Sequence, residues 1–294
     1  MKFTKMHGAG NDYIYVNCID GTFGGDDAEI ISDDARLADI ARRLSRPHFG
    51  IGADGLVMIL PSDVADMRMR MFNADGSEGR MCGNATRCIG KLAHDNSIIG
   101  KDKTSLALET ASGVKYLTLF VGDDGLVKEV TVDMGAPVLS AGEVPVVLPD
   151  GCDPYAVPAS ACGDEFVITP VSMGNPHGVV FVDEITDRLV LAVGPQLEVH
   201  PMWPDRANIE FARLNPDGSI DMRVWERGSG ETLACGTGAC ATAVAAMLTG
   251  RTSAGKVTIH LIGGDLTVAW DGTPSGHVMM TGPATTVFTG DVTL

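Results

Sequence analysis

Two short stretches of the chain each combine a cysteine with glycine and acidic residues, and the two stretches match one another. They cover residues 73–88 and 226–240. When Cys82 is aligned with Cys235, a Glu stands four residues before each Cys and a Gly directly follows each. The alignment continues upstream into a Met-Arg-x-aromatic segment in both copies. Agreement at so many spaced positions predicts an internal duplication that contributes one thiol from each half to a shared site.

Both Cys-Gly pairs precede an apolar segment with helical spacing, which predicts that each thiol lies at a helix N-terminus. Unpaired backbone N–H groups and the helix dipole favour negative charge there, and they would lower the thiol pKa. The same N–H groups would bind a substrate carboxylate. Two such helix ends around one α-carboxylate would place a thiol on each side of the α-carbon. That is the geometry of a two-base racemase or epimerase, whose carbanionic transition state needs preorganised N–H donors.

The chain contains seven cysteines, and the ordinary interpretation of a cysteine is a small buried hydrophobe. We expect that role for Cys18, Cys88, Cys152, Cys162 and Cys240. Neither Cys-x5-Cys nor Cys-x4-Cys is a usual zinc hook, so no metal site is predicted. No phosphate-binding loop accompanies a plausible Schiff-base lysine, and no cofactor is predicted. A Cys82–Cys235 disulfide stays open as an oxidised, inactive form.

Composition limits the possible partners and compartments. The 294 residues allow two domains, and 45% apolar with 20% charged residues is typical of a soluble globular protein. A net charge of −16 argues against nucleic acid or an anionic membrane as a partner, because both require basic patches. No run approaches the roughly 20 apolar residues of a membrane span. The first residues lack the apolar core of a signal peptide, so we expect a cytoplasmic protein with reduced thiols.

The hydrophobic pattern predicts two halves of similar plan, each with many strands and one strongly apolar helix. The apolar helices are predicted over 85–94 and 239–248, and a further helix over 33–45. A lone apolar helix among strands is best buried by a sheet wrapped around it, which indicates an α/β (α+β) fold. A Pro-rich stretch at 136–158 marks the entry to the second half, and 183–206 is interpreted as an irregular polar segment.

Residues that differ between the two copies indicate an unsymmetrical substrate. Asn73 and Glu226 are equivalent by position but differ in charge, and Arg227 has no charged counterpart. A substrate with a second amino and a second carboxylate group would suit this set. Arg227 would bind the carboxylate, and Glu226 with the oxygens of Asn175 and Asn208 would bind the ammonium. Taken singly, a surface Glu226–Arg227 pair and ordinary turn asparagines explain these residues equally well.

Together these motifs resemble the diaminopimelate epimerase family. The resemblance covers nearly the whole chain and rests on Asn73-Ala-Asp-Gly-Ser-Glu, Met81-Cys-Gly-Asn84, Met173-Gly-Asn-Pro-His177 and Glu226-Arg-Gly-x-Gly-Glu-Thr. It implies a cofactor-independent epimerase that interconverts LL- and meso-2,6-diaminopimelate in lysine and peptidoglycan precursor biosynthesis. It also implies two pseudo-symmetric domains, each a mostly antiparallel sheet wrapped around a central helix, with the site in the cleft between them. The expected domains are 1–132 plus 283–294 and 133–282.

The resemblance also assigns roles to individual residues. Cys82 and Cys235 would be the acid and the base, and His177 and Glu226 would tune the thiol pKa values. The reacting end of the substrate would be held by Asn11, Gly83, Asn84, Gly236 and Thr237. The distal L-centre would be held by Asn73, Asn175, Asn208, Glu226 and Arg227.

Two positions depart from the family pattern. Gly55 stands where some members carry a Gln, and Phe288 stands at the place of a tail Tyr associated with dimerisation. A homodimer is expected all the same.

Three other interpretations stay open. Proline and hydroxyproline racemases also use paired cysteines, but their substrates, which have one carboxylate, do not call for Glu226, Arg227 and three asparagines. A phenazine-type isomerase would share the fold and lack the cysteine pair. A thiol redox or ligand-binding module would depend on a Cys82–Cys235 disulfide, whereas an epimerase would be inactivated by it.

Overall fold

The chain groups into two compact units in a computed structural model that describes residues 1–19, 27–253 and 255–294. The first unit comprises Met1–Val132 and Gly282–Leu294, and the second comprises Asp133–Thr281. Gly282, expected in the second domain, groups with the first unit. No helix in the described part of the chain is long and apolar enough to cross a membrane.

The first unit is dominated by strands that pair in one continuous order. Its strands are β1 (Lys2–Gly8), β2 (Asn11–Asn17), β3 (Gly55–Leu60), β4 (Met67–Asn73), β5 (Glu78–Gly79), β6 (Ser105–Thr110), β7 (Gly113–Val121), β8 (Val127–Asp133) and the C-terminal β18 (Thr285–Asp291). They pair in the order β18-β1-β2-β3-β4-β6-β7-β8. Only β2–β3 and β4–β6 are parallel in this series, so the sheet is mostly antiparallel.

The second unit repeats this order strand for strand. Its strands are β9 (Val157–Ala161), β10 (Asp164–Ser172), β11 (Pro176–Phe181), β12 (Asn208–Leu214), β13 (Ile220–Glu226), β14 (Gly230–Glu231), β15 (Gly255–Leu261), β16 (Gly264–Trp270) and β17 (Met279–Pro283). The pairing β9-β10-β11-β12-β13-β15-β16-β17 is again parallel only at β11–β12 and β13–β15. The C-terminal β18 therefore takes the place in the first unit that β9 takes in the second.

A matched pair of ion pairs supports the duplication. Arg70 contacts both carboxylate oxygens of Glu78, at 2.7 and 3.0 Å, and Arg223 contacts those of Glu231 at 2.7 and 3.1 Å. Each arginine lies eight residues before its glutamate. The alignment based on the two cysteines therefore also matches two bidentate Arg–Glu ion pairs, in which neither cysteine takes part.

One long helix lies at the centre of each unit. The first unit contains α1 (Asp27–Ser32), α2 (Asp34–Ser45) and α3 (Gly83–Asp95), and the second contains α4 (Gly194–Glu198) and α5 (Gly236–Leu248). Helix α3 contacts β1, β2, β7 and β18, and α5 contacts the strands from β10 to β13 together with β15 and β16. Nearly all residues of both helices are buried, which confirms the sheet-wrapped helix.

Helix α2 covers the other face of the first sheet. It begins at the predicted cap, because the Asp33 side chain accepts a hydrogen bond from the Arg36 N–H at 3.0 Å. Leu37 and Ile40 pack with Ile14 and Leu56 in one apolar cluster. Helix α2 thus covers the sheet with its apolar side, while its polar side stays exposed.

The structure corrects three expectations. Residues 183–206 are not wholly irregular, because a π-helical segment Leu189–Val193 runs into α4 and packs in an apolar cluster. The stretch 136–158 reaches into strand β9. Cys152 and Cys162 are only partly buried, at the edge of that cluster, whereas Cys18, Cys88 and Cys240 are buried as expected.

Candidate active site

Cys82 is the residue that precedes helix α3, as the sequence predicts. Its backbone is extended (φ −135°, ψ 120°), and its carbonyl accepts the first helical hydrogen bond from the Thr86 N–H at 2.9 Å. The thiol is partly exposed and lies 3.3 Å from Oδ1 of Asn11. A thiol in this position keeps access to a ligand while the helix start supplies N–H groups beside it.

Asn11 organises the surroundings of this thiol. Its Oδ1 also accepts from Nδ2 of Asn84 at 3.4 Å, and its own Nδ2 donates to Asp54 at 2.6 Å. Asp54 accepts a second hydrogen bond from the Asp12 N–H at 3.0 Å, and burial raises the pKa of the Asp54 carboxyl. Sequence analysis assigned a site role to Asn11 and Asn84 but not to Asp54, which orients Asn11.

A buried arginine, Arg87, holds the first turn of helix α3 in place. Arg87 is fully buried, donates to Oδ1 of Asn84 at 2.8 Å and donates to the Pro283 carbonyl at 3.2 Å. With Asn84 held in this way, both Asn84 and Gly83 lie buried at the helix start. Asn73 ends β4 and donates to Oγ of Ser77 at 3.0 Å, within the turn that leads to the Cys82 motif.

Cys235 precedes helix α5 in the equivalent place. Its Sγ accepts from the Gly238 N–H at 3.3 Å and lies 3.5 Å from Oγ1 of Thr237. The thiol therefore caps its own helix, whereas Cys82 does not. Gly236 begins this helix and is buried with Gly238.

The electrostatic surroundings of Cys235 correct one expectation. Burial is the largest cause that raises its pKa well above the usual value, and the charges of Glu226 and Glu210 add to it. The hydrogen bonds from Thr237 and Gly238 act in the opposite direction. At 5% exposure, the loss of hydration and two nearby carboxylates outweigh the helix end, so this thiol holds its proton in the unliganded protein.

His177 and Asn175 lie on the same side of the second unit and are linked to each other. The His177 Nε2 is 3.1 Å from Oδ1 of Asn175, and its Nδ1 is 2.7 Å from Oε1 of Glu210. Both His177 and Glu210 are fully buried. Sequence analysis named His177 and Asn175 but missed Glu210, although a charged residue inside the buried run Asn208–Ala212 was a visible signal.

Glu226 ends β13 close to Cys235. Burial raises the pKa of its carboxyl, while a hydrogen bond from Thr232, the charge of His177 and a hydrogen bond with Cys235 lower it. This carboxyl therefore contacts the second thiol, and its role in tuning that thiol stays a prediction.

Asn208 and Arg227 lie next to one another. The Asn208 Oδ1 accepts from the Arg227 backbone N–H at 2.9 Å, and its Nδ2 donates to the Pro176 carbonyl at 3.2 Å. The Arg227 guanidinium is exposed and donates to the Asp205 carbonyl at 2.9 Å. Asn208 thus aligns the loop that carries Arg227, and the remaining N–H groups of the guanidinium stay available to a ligand.

All seven cysteines are free thiols. Among the described residues no group of three or more His, Cys, Asp and Glu side chains is arranged to hold a metal ion.

The sequence matches one protein family over most of its length. The diaminopimelate epimerase family model matches residues 3–140 and 169–287. A diaminopimelate epimerase from Agathobacter rectalis is 50% identical and the match covers 99% of each chain. Two other diaminopimelate epimerases are similar to this chain at the same level. The one from Phocaeicola vulgatus is 50% identical, and the match covers 99% of this chain and 98% of that one. The one from Acetivibrio thermocellus is 48% identical, and the match covers 100% of this chain and 99% of that one.

Solved structures with lower sequence identity share the fold. A probable proline racemase from Agrobacterium radiobacter superimposes with a TM-score of 0.71 at 18% identity, covering 100% of this chain and 93% of that one. A hydroxyproline epimerase from Agrobacterium vitis gives 0.70 at 20%, with coverages of 99% and 91%. A PhzF-family phenazine biosynthesis protein from Bacillus anthracis gives 0.64 at 16%, with coverages of 100% and 99%. With a cysteine directly before the central helix of each unit and a match along nearly its whole length, the chain belongs to the diaminopimelate epimerase family.

Proposed function

We propose that this protein interconverts LL- and meso-2,6-diaminopimelate by proton transfer at the α-carbon, without a cofactor, in lysine and peptidoglycan precursor biosynthesis. The observation that carries the proposal is the equivalence of Cys82 and Cys235, each of which precedes the buried central helix of its unit. Family membership adds the substrate, since the similar proteins are named for it.

The two thiols act as acid and base on opposite faces of the α-carbon. Cys235 holds its proton in the unliganded protein because burial and two carboxylates raise its pKa, so it suits the acid role in the first proton transfer. Cys82 is partly exposed and precedes α3, where the helix N–H groups favour a thiolate, so it takes the role of base. The helix N–H groups at Gly83 and Gly236, with Asn84 and Thr237, bind the α-carboxylate of the reacting end and stabilise the carbanionic transition state.

The residues that differ between the two copies of the duplicated motif select the second amino-acid centre of the substrate. Glu226 binds the distal ammonium together with the amide oxygens of Asn73 and Asn175, and Arg227 binds the distal carboxylate. Asn208 acts through Arg227, whose backbone it holds at 2.9 Å. A substrate with one carboxylate, such as proline, leaves this charged half without partners, and the proposal therefore disfavours a proline racemase.

Deuterium incorporation tests this function. The reduced protein is incubated with LL-diaminopimelate in deuterated water, and the product is analysed by mass spectrometry and NMR. We expect one deuterium at the α-carbon of the meso product. Proline and hydroxyproline, incubated in parallel, should show no exchange. No deuterium in diaminopimelate, with both thiols shown to be free, would contradict the proposal.

The proposed location is the cytoplasm, because both thiols must stay reduced and a reducing compartment maintains them. We further propose a homodimer, supported by the exposed apolar side chains of Val287 and Phe288 on β18. Phe288 stacks edge-on against Phe3 with ring centroids 5.8 Å apart, so the ring is held in place at the surface. Sedimentation analysis should give twice the chain mass, and Phe288→Asp should weaken the association. A monomeric wild-type protein at micromolar concentration would exclude the dimer.

A further inference from the structure

Glu210 is a fully buried carboxyl group in the second unit that the proposed proton transfer does not use. It lies in the middle of β12, and its Oε1 is 2.7 Å from the His177 Nδ1. Its Oε2 has no hydrogen-bond partner among the described residues. Burying a carboxyl group costs free energy unless hydrogen bonds or an opposite charge compensate it, so its presence calls for an explanation.

The first unit shows that the fold does not require a carboxyl group here. Glu210 pairs with Val179 in the parallel β11–β12 ladder, and in the equivalent β2–β3 ladder Val57 pairs with Tyr15. Val57 is fully buried. By the same register Tyr13 is the counterpart of His177. A Val at one copy of the position shows that a hydrophobic side chain fills it, and so Glu210 serves something that only the second unit contains.

The hydrogen-bond partners of the His177 ring indicate the role of Glu210 in the second unit. Its two nitrogens face two acceptor oxygens, Glu210 Oε1 at 2.7 Å and Asn175 Oδ1 at 3.1 Å. If Glu210 is ionised, a ring between these two acceptors is satisfied only when both nitrogens carry protons, as in an imidazolium; a protonated Glu210 would instead donate to a neutral ring. The 2.7 Å distance is typical of a charge-assisted hydrogen bond. A buried imidazolium needs a counter-charge, and Glu210 supplies it.

The pair lies next to the acidic and thiol groups of the second half-site. A Cβ built on Gly238 would lie 2.7 Å from Glu210 Oε1 and 3.2 Å from Cys235 Sγ, so the carboxyl and the thiol approach the same glycine. A positive charge on His177 would lower the pKa of the Glu226 carboxyl. The titratable groups around the pair thus come from β12 (Glu210), β13 (Glu226) and α5 (Cys235).

We propose that Glu210 is a positioning residue that holds His177 as an imidazolium, and that this positive charge keeps Glu226 ionised for the distal ammonium of the substrate. The effect of Glu226 on substrate binding rests on the proposed function, whereas the protonation state of the His177 ring does not. The effect of His177 on Glu226 exceeds the opposing effect of Glu210, so the loss of both charges would raise the pKa of Glu226. The charge of Glu210 is among the causes that raise the pKa of Cys235, so its loss would lower that pKa.

The first test reads the ring directly and needs no substrate. Nitrogen-15 NMR of the His177 side chain, assigned with His177→Gln, should show both nitrogens protonated in the wild type from pH 6 to pH 8. In Glu210→Gln the ring should carry one proton at pH 7. A neutral wild-type ring at pH 7, or a ring unchanged in the variant, would overturn the proposal. The wild-type measurement decides the question even if the variant is unstable.

The second test reads thiol reactivity and turnover. In Glu210→Gln, alkylation of Cys235 at pH 8 should be faster than in the wild type, with the Cys82 rate as internal reference. The kcat/KM at pH 7 should fall by about tenfold or more, with its acid limb moved to higher pH. Glu165→Gln makes the same change at an exposed position of the same sheet and should alter neither quantity. An unchanged pH profile and Cys235 rate in Glu210→Gln would refute the role. An imidazolium in a protein that does not epimerise diaminopimelate would instead refute only the proposed function.

Discussion

Glu226 ends strand β13 at the position where Asn73 ends strand β4, so a carboxyl group in one unit replaces an amide in the other. The registers agree, because Trp225 pairs with Glu231 and Phe72 pairs with Glu78. Each end residue lies nine positions before its cysteine. Since the backbone frame is the same, the chemical difference between the two half-sites comes from side chains alone.

Glu226→Gln should therefore impair recognition more than it alters the fold. The amide keeps the shape but loses the charge that, in the proposed function, pairs with the substrate ammonium. Such a contact contributes about 1.5–3 kcal/mol, so kcat/KM should fall by roughly ten- to a hundredfold. Burial raises the Glu226 pKa, so the wild type loses this carboxylate as pH falls, starting at a higher pH than for an ordinary Glu. The acid limb of the kcat/KM profile should reflect that titration and be absent from the variant.

Steady-state kinetics from pH 5 to pH 9 would measure both effects. Glu129→Gln, the same change at an exposed position of β8, is the matched control and should behave as wild type. A Glu226→Gln profile that superimposes on the wild type would show that this carboxyl does not contact the substrate.

Replacing either thiol should stop epimerisation, because each face of the α-carbon has one proton-transfer group. Cys82→Ser and Cys235→Ser substitute a hydroxyl that is far less acidic, and each should lower kcat by about 10²- to 10⁴-fold. Cys152→Ser removes a partly buried thiol outside both helix caps and should leave kcat unchanged. Near-full turnover in either of the first two variants would exclude a two-base mechanism.

The alkylation rate of Cys235 should depend steeply on pH. Burial, Glu226 and Glu210 raise the thiol pKa well above its usual value, so the reactive thiolate is scarce at pH 7. Its fraction should grow about tenfold for each pH unit until the pKa is reached. Peptide mapping after iodoacetamide treatment of the unliganded protein would show this, with glutathione as a free-thiol reference. Glu226→Gln removes one of the charges and should increase the rate at pH 8; a decrease would reverse the assigned electrostatics.

Part of this architecture follows from the sequence because the duplication is visible in it. Aligning Cys82 with Cys235 was enough to predict a thiol at each of two helix N-termini, and the same alignment places the Arg70–Glu78 and Arg223–Glu231 ion pairs. Local signals carry this information, since a helix cap or a turn depends on residues that are close in the chain.

The remaining features depend on contacts between residues far apart in the chain. The position of Cys235 at a helix N-terminus, which the sequence shows, predicts a lowered thiol pKa. Burial and the charges of two carboxylates raise that pKa instead, and both arise only when distant parts of the chain fold together. Glu210 is 33 residues from His177, and nothing in the sequence indicates that they touch. Strand β18 was missed because it becomes a strand only by pairing with β1 at the opposite end of the chain.

Gly55, which stands where some family members carry a Gln, offers a final test because this structure leaves no room for a side chain there. A Cβ at Gly55 would lie 2.1 Å from the Phe72 carbonyl oxygen and 2.9 Å from Cε1 of Tyr13. The carbonyl belongs to the neighbouring strand and cannot move without breaking the ladder, so Gly55→Ala should lower the free energy of unfolding by about 1–3 kcal/mol. Gly55→Gln should be at least as destabilising, and it should not improve turnover.

Urea denaturation followed by circular dichroism would measure these changes. Gly142→Ala is the matched control, because a Cβ there would meet nothing within 4 Å. Its free energy of unfolding should stay within about 0.5 kcal/mol of the wild type. Gly55→Ala as stable as Gly142→Ala would contradict this prediction. It would mean that β3 and β4 can move apart at the pairing of Gly55 with Asn73 without loss of stability. The position of Asn73 at the end of β4 would then not be fixed by the sheet, and the contrast with Glu226 would lose its structural basis.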